Sequence, residues 1–137
     1  MPQDLAGIYL RNVPQVQIWD STEEDNGSLG RLLGSGGLWN NSKGAPGKNP
    51  SVKADRPFGE WNHFRLRVVG HTAELGINGR PAWKTDKITP TTGYIGLQSE
   101  VTLGGQFEFR NIRIKELGKK SAFNGRNFEG WEGAGQP

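Results

Sequence analysis

Hydrophobic and polar residues alternate along several short stretches of the chain, which is the pattern of β-strands with one buried face. Residues 6–11 and 15–19 alternate in this way on either side of an Asn-Val-Pro break, and residues 61–70 do so again. No stretch with a helical period competes with these patterns. The sequence therefore predicts an all-β protein.

Turn signals join the later strands. Residues 78–79 are Asn-Gly, which predicts a two-residue hairpin because both residue types tolerate positive φ. Another strand is predicted at 94–100, and a last one at 106–117. In that last stretch the apolar positions change parity halfway, which predicts a β-bulge at residues 110–111.

The apolar positions of these strands define one predicted core face, and 21 glycines and 8 prolines fit a chain of short strands and turns. Two antiparallel sheets packed core to core would bury this face and leave the opposite parity on outer faces. The predicted core comprises Ile8, Leu10, Val16, Ile18, Phe64, Leu66, Val68, Leu75, Ile77, Ile95, Leu97, Phe107 and Phe109.

A long stretch between the second and third predicted strands, Asp20 to Arg56, is rich in Gly, Ser, Asn and Pro. Structureless connections of this length are uncommon in compact domains unless they have a function. We therefore expect functional or lid-like loops here.

Charge and composition narrow the possible partners. The formal net charge is +3, with basic residues scattered among acids, so we expect no nucleic-acid partner, which would need a basic stripe. No apolar run approaches the length of a membrane span, and the start of the chain has no signal-peptide pattern. The absence of cysteine excludes disulfides and thiolate metal sites.

The residues of opposite parity combine aromatic rings with amides, guanidinium groups and carboxylates. For any single residue, a solvated sheet face is the simpler interpretation. Together they suit sugars, whose C–H faces stack on rings while their hydroxyls bond to polar side chains. Trp19, between Gln17 and Asp20, predicts a stacking platform. The full outward set is Tyr9, Arg11, Gln17, Trp19, His63, Arg65, Gln98, Glu100, Glu108 and Arg110.

Short catalytic motifs give weaker signals. His63 and His71 have no Glu at zinc-binding spacing, and the GSGG stretch at 34–37 lacks the Lys-Ser/Thr of a phosphate loop. Carboxylates such as Glu100 with Glu108, or Asp20 with either, could perform acid–base chemistry if the fold brings them together.

Several segments together resemble the C-terminal part of the bacterial 3-keto-disaccharide hydrolase domain family. They are GIYLRNVPQVQIWD, ADRPFGEWNHFRLRVVG, the INGR hairpin, GYIGLQSE and FEFRNIRIKEL, in the family's order, from about Gly7 to Leu117. The resemblance implies a concanavalin-like jelly roll related to laminarinase and lectin sandwiches. It also implies an extracytoplasmic (periplasmic or secreted) domain and hydrolase or lyase action on 3-keto-glycosides.

In such a reaction the 3-keto group acidifies the hydrogen at C2. A base and a group that stabilises the enolate then suffice, and a divalent metal is one such group, so the cofactor stays open. On this resemblance we place the chemistry on Asp20, Arg65 and Glu100, with Gln17 and Gln98 near the same cleft.

The chain departs from the family pattern at its beginning. The opening family strands are missing there, while FNGRNFEGW at 123–131 resembles the start of a following repeat. We therefore expect a jelly-roll domain at 1–117 and, at 118–137, a linker with the start of a further repeat that could complete the sheet. The chain resembles either a fragment of a tandem protein or a permuted domain.

Three hypotheses follow for function. The first is a carbohydrate-active enzyme for 3-keto-glycosides with a carbohydrate ligand. The second is a non-catalytic carbohydrate-binding module, and the third is a protein-assembly domain that uses an open sheet edge. An open edge also predicts a homo-oligomer, most simply a dimer. We expect no membrane partner.

Overall fold

The computed structural model describes residues 5–19, 33–41, 47–100 and 106–118. Their regular structure consists of β-strands in two antiparallel sheets, which confirms the predicted all-β sandwich. The strands are β1 (Leu5–Tyr9), β2 (Gln15–Ile18), β3 (Leu38–Trp39), β4 (Phe64–Val69), β5 (Thr72–Ile77), β6 (Arg80–Thr85) and β7 (Gly96–Glu100).

The first sheet has the order β3-β2-β1-β7. Strand β1 lies between its two antiparallel neighbours, so that Ile8 is opposite both Val16 and Leu97. The next residue toward the N-terminus, Gly7, is opposite Gln17 and Gln98. Because side chains alternate across a strand, the apolar row and the glutamine row lie on opposite faces of this sheet.

The second sheet is a meander of β4, β5 and β6. Asn78 and Gly79 have φ values of 51° and 79° in the tight turn between β5 and β6, which confirms the predicted hairpin. The Asn78 side chain also donates a hydrogen bond of 2.7 Å to the Ala54 carbonyl oxygen. The turn is thereby fastened to the segment that precedes β4.

The hydrophobic core lies between the two sheets. Val16 and Leu38 come from the first sheet, and Leu75, Ile77 and Trp83 from the second, all at most 8% exposed. Alternation predicts most of these positions, since Ile8, Phe64, Leu66 and Val68 pack against the same cluster and Leu10 is part of it. Trp83, Leu38, Ile88, Ala54 and Ala82 belong to the core without having been predicted there.

Two predicted core residues near β7 are instead exposed. Ile95 is 55% and Leu97 45% accessible. Leu97 does lie on the core side of the sheet, opposite Ile8, but β7 is the edge strand of the sheet as described. A residue on an edge strand has a neighbouring strand on one side only, so correct parity does not bury it.

The structure does not assign the strand predicted at 106–117. Residues 106–118 belong to none of the strands that it describes. Phe107 and Phe109 alternate with exposed neighbours and are half-buried, as a strand pattern requires. Asn111 has a φ of 53° at the predicted bulge, and beyond it Ile112 and Ile114 are exposed. The local alternation is therefore present in residues that pair with none of the described strands.

The long predicted loop contains regular structure in its described parts. Leu38 begins strand β3 and also forms an isolated bridge with Lys48, while Ala54 enters the core. Among residues 33–41 and 47–56, β-structure is limited to Leu38–Trp39 and the bridge at Lys48, so the prediction of loops holds for the others, and their functional or lid-like role stays a prediction. Residues 20–32 and 42–46 lie outside the described part, as do 119–137, and the division of the chain at residue 117 stays a prediction.

Candidate functional site

Three glutamines and a tyrosine share the outer face of the first sheet. Gly7 is opposite Gln17 on one side and Gln98 on the other, and Tyr9 is opposite Gln15. Alternation places these residues on the same face. The structure therefore brings together three of the residues predicted to point outward, Tyr9, Gln17 and Gln98, and Gln15 lies beside them.

The absence of a side chain at Gly7 lets these amides approach one another. The Gln15 Nε2 group donates a hydrogen bond to Gln98 Oε1, across β1. A Cβ built at Gly7 would lie 2.6 Å from Gln15 Nε2 and 3.0 Å from the Val16 carbonyl oxygen. A glycine in the interior of a strand often marks such a close approach.

The face is buried at its centre and accessible elsewhere. Gln15 and Gln17, on β2, are 3% and 2% exposed, whereas Tyr9 and Gln98 are partly accessible. Buried amides are costly unless they are hydrogen-bonded, and pairing between side chains reduces this cost. The face thus has ordered amides at its centre and accessible groups beside them.

Two tryptophans lie at the β2–β3 side of this face. The Trp19 and Trp39 rings meet edge to face, with centroids 5.5 Å apart and an interplanar angle of 71°. Trp19 is only 5% exposed, and its Nε1 donates to the Gly34 carbonyl oxygen at 3.0 Å. The prediction of an outward stacking platform at Trp19 is therefore wrong in its position, because the ring lies inside the protein.

Trp39 is the more accessible of the two rings and is half-buried. It is opposite Gln15 on β3 and so shares the face of the glutamines. The sequence offers one indication of this position. Trp39 follows the apolar Leu38, and adjacent residues of a strand point to opposite faces of the sheet. We call Tyr9, Gln15, Gln17, Trp39 and Gln98 the glutamine face.

The GSGG segment holds Trp19 in place. The Ser35 hydroxyl accepts a hydrogen bond from the Trp19 backbone N–H at 3.3 Å and donates one to the Trp19 carbonyl oxygen at 3.2 Å. The Ser35 N–H in turn donates to Asp55 Oδ2 at 2.9 Å. Gly36 and Gly37 continue the backbone pairing with Gln17. These contacts fix the end of β2 beside the glutamine face.

The predicted catalytic carboxylates are only partly within the described structure. Glu100 ends β7 opposite Leu5, two residues after Gln98, so its register position belongs to the glutamine face. Asp20 lies outside the described residues. The catalytic roles predicted for both residues stay predictions.

Arg65 and His63 lie on the other side of the molecule, at the second sheet. Arg65 is exposed on β4, opposite Gly76, while its neighbours Phe64 and Leu66 face the core. His63 is exposed just before β4. The prediction that Arg65 shares a cleft with Gln17 is therefore wrong, because the core separates the outer faces of the two sheets.

Glu108 and Arg110 also lie apart from the glutamine face. The Arg110 guanidinium carbon is 3.7 Å from the centroid of the Trp61 ring, a cation–π contact near the start of β4. Glu108 accepts a hydrogen bond of 2.7 Å from the Gln106 side chain. Both residues are exposed in the segment that follows β7.

Arg11 braces the fold. It follows β1 in a left-handed conformation, with a φ of 50°, and its Nη1 donates to the carbonyl oxygens of Gly70 and Pro90, the latter at 2.8 Å. These bonds join the β1–β2 turn to the turn after β4 and to the segment before β7. These contacts give Arg11 a structural role, and its predicted role in ligand binding stays a prediction.

The described residues do not fit a divalent metal. No three His, Asp or Glu residues converge anywhere in the described ranges, and the side chains known on the glutamine face are amides and aromatic rings. Divalent metal sites in proteins are built mainly from carboxylate or imidazole ligands.

Among the described residues, no helix is long and apolar enough to cross a membrane.

Comparison with known proteins identifies the family. Residues 2–115 match the 3-keto-alpha-glucoside-1,2-lyase-like domain, in agreement with the resemblance seen in the sequence. The comparisons with curated proteins and with solved structures gave no significant match. Since the family match covers most of the chain, the protein belongs to the 3-keto-alpha-glucoside-1,2-lyase-like domain family and has a carbohydrate-related role.

Proposed function

We propose that the glutamine face binds a 3-keto-glucoside. The observation that carries this proposal is the row of Gln17, Gly7 and Gln98 with Gln15 alongside, which concentrates amide groups on one face of a sheet. The family name supplies the class of sugar. The proposal is one of recognition, and catalysis is a separate step treated below.

The chemistry of the face suits this ligand. The partly accessible Gln98 amide has N–H donors and a carbonyl acceptor, so it can bond to sugar hydroxyls in either sense and donate to a keto oxygen, while the buried Gln15 and Gln17 amides support the face from below. Tyr9 and Trp39 are partly accessible and offer ring faces to the C–H side of a pyranose. Small-ligand sites commonly combine aromatic walls with a few oriented polar groups.

The same face is held in position before any ligand binds. Gln15 and Gln98 are hydrogen-bonded to each other, and Trp39 packs against the buried Trp19 ring. Groups that are already ordered lose little conformational entropy on binding. This favours specific recognition over a loosely solvated sheet face.

Trp39→Ala provides the direct test. We expect it to weaken the binding of a methyl 3-keto-glucoside by about 1–2 kcal/mol, because a stacking surface is lost. Isothermal titration calorimetry gives the affinity. The matched control is Trp61→Ala, since Trp61 is 38% exposed in the segment before β4, which belongs to the second sheet, and its replacement should leave the affinity unchanged. Equal affinities for the wild type and Trp39→Ala would contradict the proposal.

A second candidate function is elimination at C1 and C2, and the register of Glu100 favours it. Glu100 lies two residues beyond Gln98 in the register of β7. A carboxylate there could take the C2 proton, which the neighbouring ketone makes acidic. The C2–H electron pair first forms the C2–C3 double bond of an enolate, with the ketone electrons moving onto its oxygen. As the ketone re-forms, the C2–C3 pair becomes the C1–C2 double bond, the C1–O bond breaks, and the aglycone oxygen leaves with its electrons and takes up a proton. Amide N–H groups would stabilise the enolate oxygen.

Glu100→Gln tests this chemistry. If Glu100 is the base, we expect aglycone release from a chromogenic 3-keto-glucoside to slow by about 100-fold or more, with binding retained. Glu108→Gln, which changes charge equally at an exposed site away from the face, is the control. The ordinary glucoside should be inert. Turnover of the ordinary glucoside at the same rate would exclude the elimination. Binding of the 3-keto-glucoside without any turnover would contradict catalysis and would support recognition only.

A further inference from the structure

The outer face of the second sheet is positively charged. Arg65 and Arg67 are exposed on β4, between residues that face the core, and Lys84 is exposed on β6. Lys87 follows β6, and Lys48 lies nearby on the segment that bridges to Leu38. We call Lys48, Arg65, Arg67, Lys84 and Lys87 the basic face. It is distinct from the glutamine face, which lies on the other sheet.

An acidic residue in the middle of this surface is already paired. Glu74 is opposite both Arg67 and Lys84, and its carboxylate lies 2.8 Å from Lys84 Nζ. The hydrogen bond from Lys84, and then the charges of Lys84, Arg67 and Arg65, lower the pKa of Glu74. Beside Arg65 the partner residue is Gly76, so no side chain from β5 covers that arginine. The negative charge of Glu74 is therefore balanced by Lys84, while Arg65 and Arg67 stay exposed beside this pair.

A depression of about 280 Å³ lies at one end of the basic face. This is slightly below the usual range of small-molecule pockets, about 300–1,000 Å³, so it suits one charged sugar unit better than a whole large ligand. It is lined by Lys48, Thr72, Lys84, Thr85, Asp86 and Lys87.

The backbone around the depression is fixed. Lys48 exchanges two hydrogen bonds with Leu38, of 2.7 and 3.2 Å, and the Lys87 carbonyl oxygen accepts a 2.7 Å bond from Asn41 Nδ2. Asn41 is 3% exposed, and its Oδ1 has no hydrogen-bond partner among the described residues. Asn41 does not line the depression, so this acceptor is not part of the proposed site.

We propose that the basic face binds an acidic polysaccharide whose uronate carboxylates pair with its lysines and arginines. Its five cations outnumber Glu74 and Asp86 by three charges, which equals the formal net charge of the whole chain. From β4 to β6 the face spans two strand spacings, roughly 10 Å, so it extends beyond the depression and suits a polymer better than an isolated anion.

A polysaccharide fits this surface better than a nucleic acid. Single-stranded nucleic acids stack their bases on accessible aromatic rings. Trp61, which precedes β4, is 38% exposed, and the Arg110 guanidinium carbon already lies 3.7 Å from its ring centroid. Thr72 lines the depression and is partly exposed, and its hydroxyl group suits sugar hydroxyls.

The test uses polygalacturonate as the probe, with the full chain. In affinity electrophoresis the wild type should be retarded by polygalacturonate and not by neutral dextran. The double variant Lys84→Gln, Lys87→Gln should raise the apparent Kd by about ten-fold or more, because two paired charges are lost. The control Arg113→Gln, Lys115→Gln removes the same charge from exposed positions that do not line the depression. It should change Kd by less than about two-fold, because salt weakens the general attraction between the protein's net charge and the polymer.

Several outcomes would overturn this inference. They are the absence of binding to polygalacturonate, an equal loss in the two double variants, or binding of single-stranded DNA at least as tight as that of polygalacturonate. Unchanged melting temperatures show that the variants fold, since all four side chains are exposed. Trp39→Ala should leave polygalacturonate binding intact, so this inference and the proposed function can fail independently.

Discussion

Replacing Trp19 with alanine should lower the free energy of unfolding by about 3–5 kcal/mol, the usual cost of truncating a buried aromatic side chain. The ring is 5% exposed and packs edge to face on Trp39. Its truncation would also leave the Gly34 carbonyl oxygen without the 3.0 Å bond from the indole N–H. A cavity and an unpaired acceptor would thus arise together.

Chemical denaturation followed by fluorescence measures this loss, with Trp39→Ala as the matched control. Trp39 is half-buried, so its removal should cost clearly less stability than that of Trp19. The expected pattern separates two roles: Trp19 supports the fold, whereas Trp39 contributes to ligand binding. A Trp19→Ala protein as stable as the wild type would show that this ring is not buried as described.

The polar face could be predicted from the sequence because strands have a period of two. Gln17 and Gln98 alternate with Val16 and Leu97, and the structure places both amides on the side away from the core. The same logic gave the parity of Arg65 correctly. Parity, however, states only that a residue faces away from the core and does not state which sheet carries it.

The assembly of the site depended on contacts between distant segments. Trp19 has the parity of an outward residue, yet Gly34 and Ser35 bond to it from a segment that the sequence marked as a loop. Nothing in the local pattern of residues 15–19 indicates that this segment returns to β2. Whether an outward-facing residue such as Trp19 is buried therefore depends on a distant segment that covers it, and the alternation within its own strand cannot show this.

The edge of the first sheet shows a related limit. The sequence predicts that Ile95 and Leu97 are apolar residues on a core face, but their exposure depends on whether another strand follows β7. An accessible apolar edge is a common site for pairing with another chain. The homo-oligomer predicted from the sequence stays a prediction.

Gly93→Ala should be among the most damaging single substitutions in the described part of the chain. Gly93 has a φ of 142°, which side chains rarely allow, and a Cβ there would lie 2.6–2.7 Å from backbone atoms of Arg11. The neighbouring backbone is closely docked, since the Asn12 N–H donates to the Tyr94 carbonyl oxygen at 3.0 Å. Arg11 also reaches Pro90 at 2.8 Å. The turn after β1 therefore cannot move away without breaking these bonds.

We expect Gly93→Ala to lower the free energy of unfolding by about 3 kcal/mol or more, because backbone strain and a clash with backbone atoms act together. Gly59→Ala is the matched control, because Gly59 also has a positive φ, 86°, but has no atoms within 4 Å of the added Cβ. That variant should lose only about 1 kcal/mol from strain. Urea denaturation of both variants measures the difference. If both lose the same stability, Gly93 does not approach Arg11 closely, and the junction between the β1–β2 turn and the start of β7 is looser than described.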